Sequence, residues 1–350
     1  MFTKFPIIGT KIKGASSKTN FNLSDPTDRK AYFKLKIGEE IQKLNRYLEK
    51  NTFVGNIVGK KNSGKGTYVQ MLIEVLGTGR IVHLSVGDMV RDIHADTKAI
   101  PKLKKYYRGF ISFEEAMEGL TGSSTQKLAP TEAILALLKY NIEKHKNKAI
   151  FLDGLPRETD QVSYSLFLRD LINFRNDPDF FVLLETPEAI IDARIKSRLV
   201  CPNCHASKNL RLNPTKFVEY DKSAGHFILL CENPACKKVK LVRKEGDDLG
   251  VEPIRPRLIK DDKILELIFG IHGVPKIFLR NSIPVAVANK YFDDYEYTPE
   301  YKFELDSVGQ VITKKTPWIF PDDEGCEAKT LLPAATIVCF VKQMVDVLEI

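Results

Sequence analysis

Residues 53–77, FVGNIVGKKNSGKGTYVQMLIEVLG, decide how the rest of the chain is read. Positions 53–58 are apolar and read as a short strand, 59–66 form a glycine-rich loop, and 67–76 read as an amphipathic helix. The loop Gly59-Lys-Lys-Asn-Ser-Gly64-Lys65-Gly66-Thr67 has phosphate-loop spacing, with Gly66 standing where Ser or Thr usually follows the lysine. The residue types fit that chemistry. Phosphate charge must be met by donors without bulk, so glycines let backbone N–H groups turn inward, and a helix N-terminus adds partial positive charge. Lys65 is placed to reach the outer phosphates, and Thr67 offers a hydroxyl at the start of the helix. The bland alternative is a glycine-rich turn with a chance lysine. The position between an apolar strand and an amphipathic helix argues against it. The motif alone implies only nucleotide binding, which many chemistries share.

Working outward, IVHLSV (81–86), AIFLDG (149–154) and FFVLLET (180–186) read as further strands separated by helical stretches, and Pro187 suits the first turn of a following helix. Strands alternating with helices predict a three-layer α/β core with a central parallel sheet. The stretch 200–257, rich in Cys, Pro, Asn, Lys and Gly, breaks this rhythm and reads as an inserted small domain, after which a helix (258–269) resumes the core. Before the first strand, residues 1–25 read as an irregular arm. Ile37, Ile41, Leu44 and Leu48 then predict a helix from Thr27. Residues 275–325 are rich in Pro and Tyr and take no clear assignment, although KFELD (302–306) is expected to supply a final strand. The apolar tail LLPAATIVCFVKQMVDVLEI reads as a packing helix.

The 350 residues are 43% hydrophobic and 28% charged, a globular composition rather than a disordered one. A net charge of +8 suits polyanionic partners without choosing among nucleotides, nucleic acid and acidic lipid. No secretory signal is read at the start. Lys342, Gln343, Asp346 and Glu349 interrupt the tail, and a span needs roughly 20 predominantly apolar residues. A cytoplasmic protein with no membrane partner is expected. Four of the six cysteines, Cys201, Cys204, Cys231 and Cys236, make a C-x2-C and C-x4-C pair of chelating turns, the pattern of a structural zinc site held by four thiolates. His205 or His226 could replace one thiolate. Four protein ligands leave no open position, so the role is rigidity, and a segment this small needs such a staple. Cys326 and Cys339 are expected to be ordinary buried thiols.

The form GKGT resembles the adenylate kinase family, and further motifs follow in that family's order. Ser85-Val-Gly87-Asp88-Met89-Val-Arg91 looks like its monophosphate-site motif, and Lys127-Leu-Ala-Pro-Thr-Glu132 like the segment beside the acceptor base. Asp153-Gly154-Leu-Pro156-Arg157, with Gln161 four residues on, is similar to its Asp-Gly-Phe-Pro-Arg motif. Arg194 and Arg198 are placed on the helix entering the lid, and Arg243, Arg255 and Arg257 where the lid returns. The match runs from about residue 52 to 270, with a weaker tail to about 312. One motif would be weak; five in order are specific.

The resemblance implies transfer of the γ-phosphoryl group of Mg-ATP to a nucleoside monophosphate, with AMP the expected acceptor. For catalysis it points to Lys65, Arg157, Arg194, Arg198, Arg257 and Asp153, the last orienting Mg2+. For ATP it points to Gly59, Asn62, Ser63, Gly64, Lys65, Gly66, Thr67, Arg194, Arg198, Arg243 and Gln310. For the monophosphate it points to Val86, Asp88, Arg91, Gly154, Arg157, Gln161, Arg255 and Arg257. Gln161 could equally cap a helix. Arginine suits these tasks because its planar fork binds phosphate bidentately and stays charged.

The implied organisation is an N-terminal arm and helix (1–50), a kinase core (51–199) containing the monophosphate-binding segment (about 84–146), a zinc-binding lid (200–257) and the remaining core with its C-terminal helix (258–350). A monomer is expected. The chain departs from the family at Val86, where a hydroxyl residue is usual, which leaves CMP, UMP or GMP as rival acceptors. A third reading is a zinc-ribbon nucleic-acid-binding protein with a degenerate kinase core, drawing on Lys208, Arg211, Lys237, Lys238, Lys240 and Arg243. Nucleic acid is the less expected partner, since aromatic residues are sparse there.

Overall fold

The computed structural model describes residues 5–12, 20–77, 79–122, 129–163, 171–172 and 174–350. Its centre is a five-stranded sheet in the order Lys276–Arg280, β4 (Asp179–Glu185), β1 (Val54–Gly59), β3 (Ala149–Asp153), β2 (Ile81–Ser85). Every pairing is parallel. The expected three-layer α/β core is therefore present. Parallel strands are covered on both faces, so they read as near-continuous apolar runs. β4 shows how one run serves two layers. Phe180, Val182 and Leu184 face a cluster with helices Lys65–Leu76 and Pro333–Val347, while Phe181 and Leu183 face helix Arg255–Phe269. Side chains alternate across a strand, so both sides of this one are buried. On the latter face of the sheet, Leu84, Ile150 and Leu152 pack against helix Thr131–Lys144.

Several expectations change in detail. The second strand ends at Ser85, and Val86 opens helix Val86–Ala95 instead of closing the strand. KFELD does not complete the core sheet. It lies in Pro299–Leu305, paired antiparallel with Val311–Pro317 in a separate hairpin, and the core's last strand is Lys276–Arg280. The β propensity of KFELD is real, but its partner is its own hairpin. Cys326 is exposed rather than buried. Cys339 is buried, its thiol donating to the Ile8 carbonyl at 2.9 Å.

Residues 5–12 of the expected irregular arm are docked on the rest of the chain. Phe5 is buried against the Phe269 and Phe278 rings. Helix Pro26–Tyr47 starts at an Asp25 cap, whose carboxylate accepts from the Thr27 and Asp28 amides, and it buries Tyr32, Phe33, Ile37 and Leu44. Glu296 is wholly buried. It accepts from Thr10 Oγ1 at 2.6 Å, Tyr32 hydroxyl at 2.5 Å and the Asp293 amide at 2.6 Å. One carboxylate thus fastens the N-terminal segment, the first helix and residues 293–296 together.

Residues 281–332 are inserted between the last core strand and the C-terminal helix. Their hairpin rests on the small domain beyond residue 197. The Tyr301 amide donates to the Arg211 carbonyl at 2.7 Å, Arg211 pairs with Glu300 at 2.6 Å, and the Phe227 and Phe303 rings sit 5.7 Å apart. Among the described residues, no helix is long and apolar enough to cross a membrane.

Glu296→Ala should cost roughly 3 kcal/mol or more in urea denaturation, because each stranded buried donor costs about 1–3 kcal/mol. A loss below about 1 kcal/mol would show that the N-terminal segment is held by packing alone.

Candidate active site

The carboxyl ends of the parallel strands converge on one edge, where open α/β sheets bind ligands. Gly59 closes β1 there. A Cβ at this position would sit 2.8 Å from the Leu184 carbonyl oxygen, so glycine is needed for the loop to leave the sheet. Gly64 adopts φ +101°, a left-handed conformation that glycine accepts without strain. The loop then enters helix Lys65–Leu76, whose first amides are free of intrahelical partners. Lys65 Nζ folds back over this loop, donating to the Gly59 and Lys60 carbonyls at 2.8 and 3.0 Å. Burial pushes its pKa down.

Asp153 ends β3 beside the loop. Its Oδ1 lies 4.0 Å from Lys65 Nζ and its Oδ2 3.8 Å from His83 Nε2. Burial opposes ionisation of Asp153, but His83, Lys65 and Arg157 outweigh it and hold the carboxyl below its ordinary 3.8. Asp153 Oδ1, Ser63 Oγ and His83 Nε2 are buried without a hydrogen-bond partner. An unpaired carboxylate oxygen facing this edge is a suitable acceptor for the water shell of Mg2+, which binds hard oxygen ligands and keeps several waters.

Arg157 folds back so that its Nε donates to the Gly154 carbonyl at 2.7 Å. A Cβ placed on Gly87 would meet Arg91 Nη1 at 3.5 Å and Arg157 Nη2 at 3.7 Å, so the two guanidinium groups converge over the start of helix Val86–Ala95. Val86 is buried at that helix start, against Gly154. Asp88 pairs with Arg91 at the surface. Arg257 Nη1 donates to the Arg157 carbonyl at 3.4 Å, and Arg194 Nη1 to the Ser63 carbonyl at 3.1 Å. The structure therefore brings Lys65, Asp153, Arg157, Arg91, Arg194 and Arg257 to one edge of the sheet.

Other expected residues are placed differently. Helix Glu188–Lys196 stops at Ser197, whose hydroxyl bonds back to the Ala193 carbonyl, so Arg198 begins a strand and does not share a helix face with Arg194. Arg198 makes a two-pronged pair with Asp247 at 2.7 and 2.5 Å. Arg255 pairs with Glu188 and Glu252 at the surface. Arg243 lies exposed on a strand paired with Leu199. Gln310 sits in the turn of the outer hairpin, its backbone amide bonded to Asp306, and that hairpin is a separate sheet from the core. Gln161 uses its amide as a cap: Oε1 accepts from the Arg157 and Glu158 amides at 2.7 and 3.3 Å, and Nε2 donates to Thr131 at 2.9 Å. Lys127 and Leu128 lie outside the described residues. His83 joins the site without having been expected there; a lone imidazole inside the apolar strand IVHLS is its one sequence signal.

In the lid, the sulfur atoms of Cys201, Cys204, Cys231 and Cys236 all lie within 4.8 Å of one another, with Cys204 and Cys231 at 3.6 Å. Tetrahedral thiolates at about 2.3 Å from zinc are about 3.8 Å apart, so the four fit that ion. His205 and His226 stay outside the cluster.

Residues 58–199 match the family described as an AAA domain. Over 192 residues the chain is 33% identical to the adenylate kinases of Thermotoga petrophila and Thermotoga maritima, covering 54% of this chain and 72% of each relative. It is 27% identical to the adenylate kinase of Mycoplasma capricolum over 209 residues, 82% of that protein. The chain belongs to the adenylate kinase family. It is accordingly a nucleoside-monophosphate kinase, and the P-loop, the Asp153–Arg157 turn and the cysteine cluster are the parts of that family's plan seen above.

Asp153 gives a stability test. A carboxyl with a lowered folded pKa contributes stability that is present above its unfolded value and lost as pH falls through the lowered one. Asp153→Asn should thus melt below wild type at neutral pH, and the gap should close at pH values under 3.8. A gap that does not change with pH would mean that His83, Lys65 and Arg157 do not stabilise the ionised form.

Proposed function

We propose that this adenylate kinase family member transfers the γ-phosphoryl group of Mg-ATP to AMP, giving two ADP. The observation that carries the reading is the common edge shared by Lys65 and Arg157, joined through Asp153 and Gly154. One nucleotide triphosphate on the loop and one monophosphate on Arg91 and Arg157 would meet there. Bound Mg2+ supplies charge neutralisation on the donor phosphates. The chain's own residues do the rest. The loop amides and Lys65 hold the donor chain. Arg91 and Arg157 hold the acceptor phosphate, whose oxygen attacks Pγ. The bond from Pγ to the bridging oxygen breaks, and its electron pair stays on the β-phosphate. Arg194 and Arg257 offset the charge on the moving group. Arg198 can join them only by leaving Asp247. Excluding water matters because hydrolysis competes with transfer, and the lid is the element suited to that.

Val86 offers the acceptor base a buried aliphatic surface and no hydroxyl, which keeps CMP, UMP and GMP in contention. The nucleic-acid reading loses support. Among the lid's basic residues, Lys208 pairs with Glu232 at 2.7 Å, Arg211 with Glu300 at 2.6 Å and Lys240 with Asp221 at 3.2 Å, which removes much of the free positive field. We read the protein as a cytoplasmic monomer, in a compartment that keeps the four lid thiols reduced for zinc.

A coupled ADP-formation assay with ATP and each of AMP, CMP, UMP and GMP should show AMP as the best acceptor; turnover with none of them would sink the proposal. Lys65→Ala should lower kcat about 10²-fold or more, in the range seen when a transition-state donor is removed. Arg157→Ala should raise the acceptor KM while leaving the KM for ATP within about threefold. The purified protein should carry about one zinc per chain, and a chelator should melt the lid before the core, since metal binding and folding of such small domains are one event. A melting profile unmoved by chelation would mean the thiols hold no metal.

A further inference from the structure

The P-loop carries two adjacent lysines, Lys60 and Lys61, and helix Arg255–Phe269 sets two adjacent acids, Asp261 and Asp262, against them. Lys60 Nζ is held by Asp262 at 3.2 Å and by Asp323, from the insertion, at 2.9 Å. Asp323 also accepts the Glu188 amide at 2.7 Å, so this pair ties the loop to the start of the helix that leads into the lid. Asp261 does something different. It is a buried carboxylate, only 5% exposed. One of its oxygens accepts the backbone amide of Lys61 at 2.8 Å, and the other takes Arg257 Nε at 2.8 Å. Arg257 in turn reaches the Arg157 carbonyl at 3.4 Å.

Burying a carboxylate is costly, and where nothing but stability is at stake an apolar side chain in its place is often as good or better. The two donors Asp261 satisfies are both parts of the phosphate machinery: a P-loop amide and a guanidinium. Its negative charge would repel a phosphate, so it cannot be a ligand for substrate. Arg257 also stands among Lys61, Lys65 and Arg157, cations that favour its drifting away unless something holds it. Asp261 lies one helical turn beyond Arg257, which is the spacing at which two side chains on a helix meet.

We propose that Asp261 is a positioning residue that locks the guanidinium of Arg257 to the backbone of the P-loop, so that the two phosphate-binding elements keep one relative geometry before substrate arrives. This rests on the phosphoryl-transfer reading above. Orientation is where such a tie acts, since small misplacement of a charged group costs up to about 10²-fold in rate.

The test compares wild type, Asp261→Asn, Arg257→Ala and the double variant in the ADP-formation assay. Asn keeps the shape and one acceptor but loses the charge. Asp261→Asn should lower kcat about 10- to 100-fold with the KM for ATP within about threefold, and the double variant should be no slower than Arg257→Ala alone by more than about twofold. A kcat within about twofold of wild type, or a double variant whose loss is the product of the two single losses, would overturn the inference. Should Asp261→Asn not fold, hydrogen exchange of residues 60–63 in wild type and Arg257→Ala decides it. Freed of its guanidinium partner, the carboxylate should hold the Lys61 amide less well and exchange there should quicken, and unchanged exchange would overturn the tie. A wild-type protein without turnover on any monophosphate defeats the kinase reading itself, whereas a turning-over wild type matched by Asp261→Asn defeats this inference alone.

Discussion

Mutual repulsion among cations at the carboxyl edge of the sheet is the constraint to which the rest of the structure answers. Lys60, Lys61 and Lys65 of the loop and Arg157, Arg194 and Arg257 from distant parts of the sequence meet around the ends of β1 and β3. In water such charges would spread apart. Here most are tethered by an acceptor: loop carbonyls for Lys65, the Gly154 carbonyl for Arg157, Ser63 for Arg194, Asp261 for Arg257, and Asp262 with Asp323 for Lys60. Carbonyl tethers hold a cation without cancelling its charge, so the edge keeps a field for phosphate. Carboxylates hold Lys60 and Arg257, and Asp323 comes from the insertion, outside the core sheet. Asp153 lies between Lys65 and His83 and keeps one oxygen without a hydrogen bond.

The parts of this arrangement that are legible in the sequence are those governed by local rules. The alternating faces of Phe180–Leu184, the glycines that permit the turn after Gly59, and the x2 and x4 spacings of the lid cysteines all act within a few residues of one another. Legibility fails where the deciding contact is distant. KFELD has the composition of a strand, but composition does not say which strand it pairs with, and its partner is residues 311–317. Gln310 moves with it, away from the core's last strand. The docking of the irregular arm and the first helix shows only where Thr10 and Tyr32 meet Glu296, which follows them in the chain by 286 and 264 positions. Arg198 differs for a subtler reason. Periodicity extends its helix past Ser197, but Arg198 pairs instead with Asn209 in a strand of the small domain.

Asp261 and His83 escape a sequence reading because their local meanings are bland. An aspartate four residues after an arginine on a helix is an ordinary surface pair, and a histidine in a strand is often a satisfied core residue. Only burial and the second bond, to the Lys61 amide, separate Asp261 from that background.

The lid and the insertion bear on each other through the same logic. Lid residue Arg211 gives its carbonyl to Tyr301 and its guanidinium to Glu300 while lying 5.6 Å from the Trp318 ring, and Trp318 shares a buried cluster with Ile190 of the helix feeding the lid. The turn after Phe320 then delivers Asp323 to Lys60 on the P-loop. The insertion is therefore bonded to the lid at one end and to the phosphate loop at the other. The lid's own arginine, Arg198, is meanwhile satisfied by Asp247. A phosphate that recruits Arg198 must outcompete a two-pronged carboxylate. Asp247 is itself buried, so Arg198 would have to leave a shielded partner. The insertion thus keeps the base of the small domain in register with the P-loop.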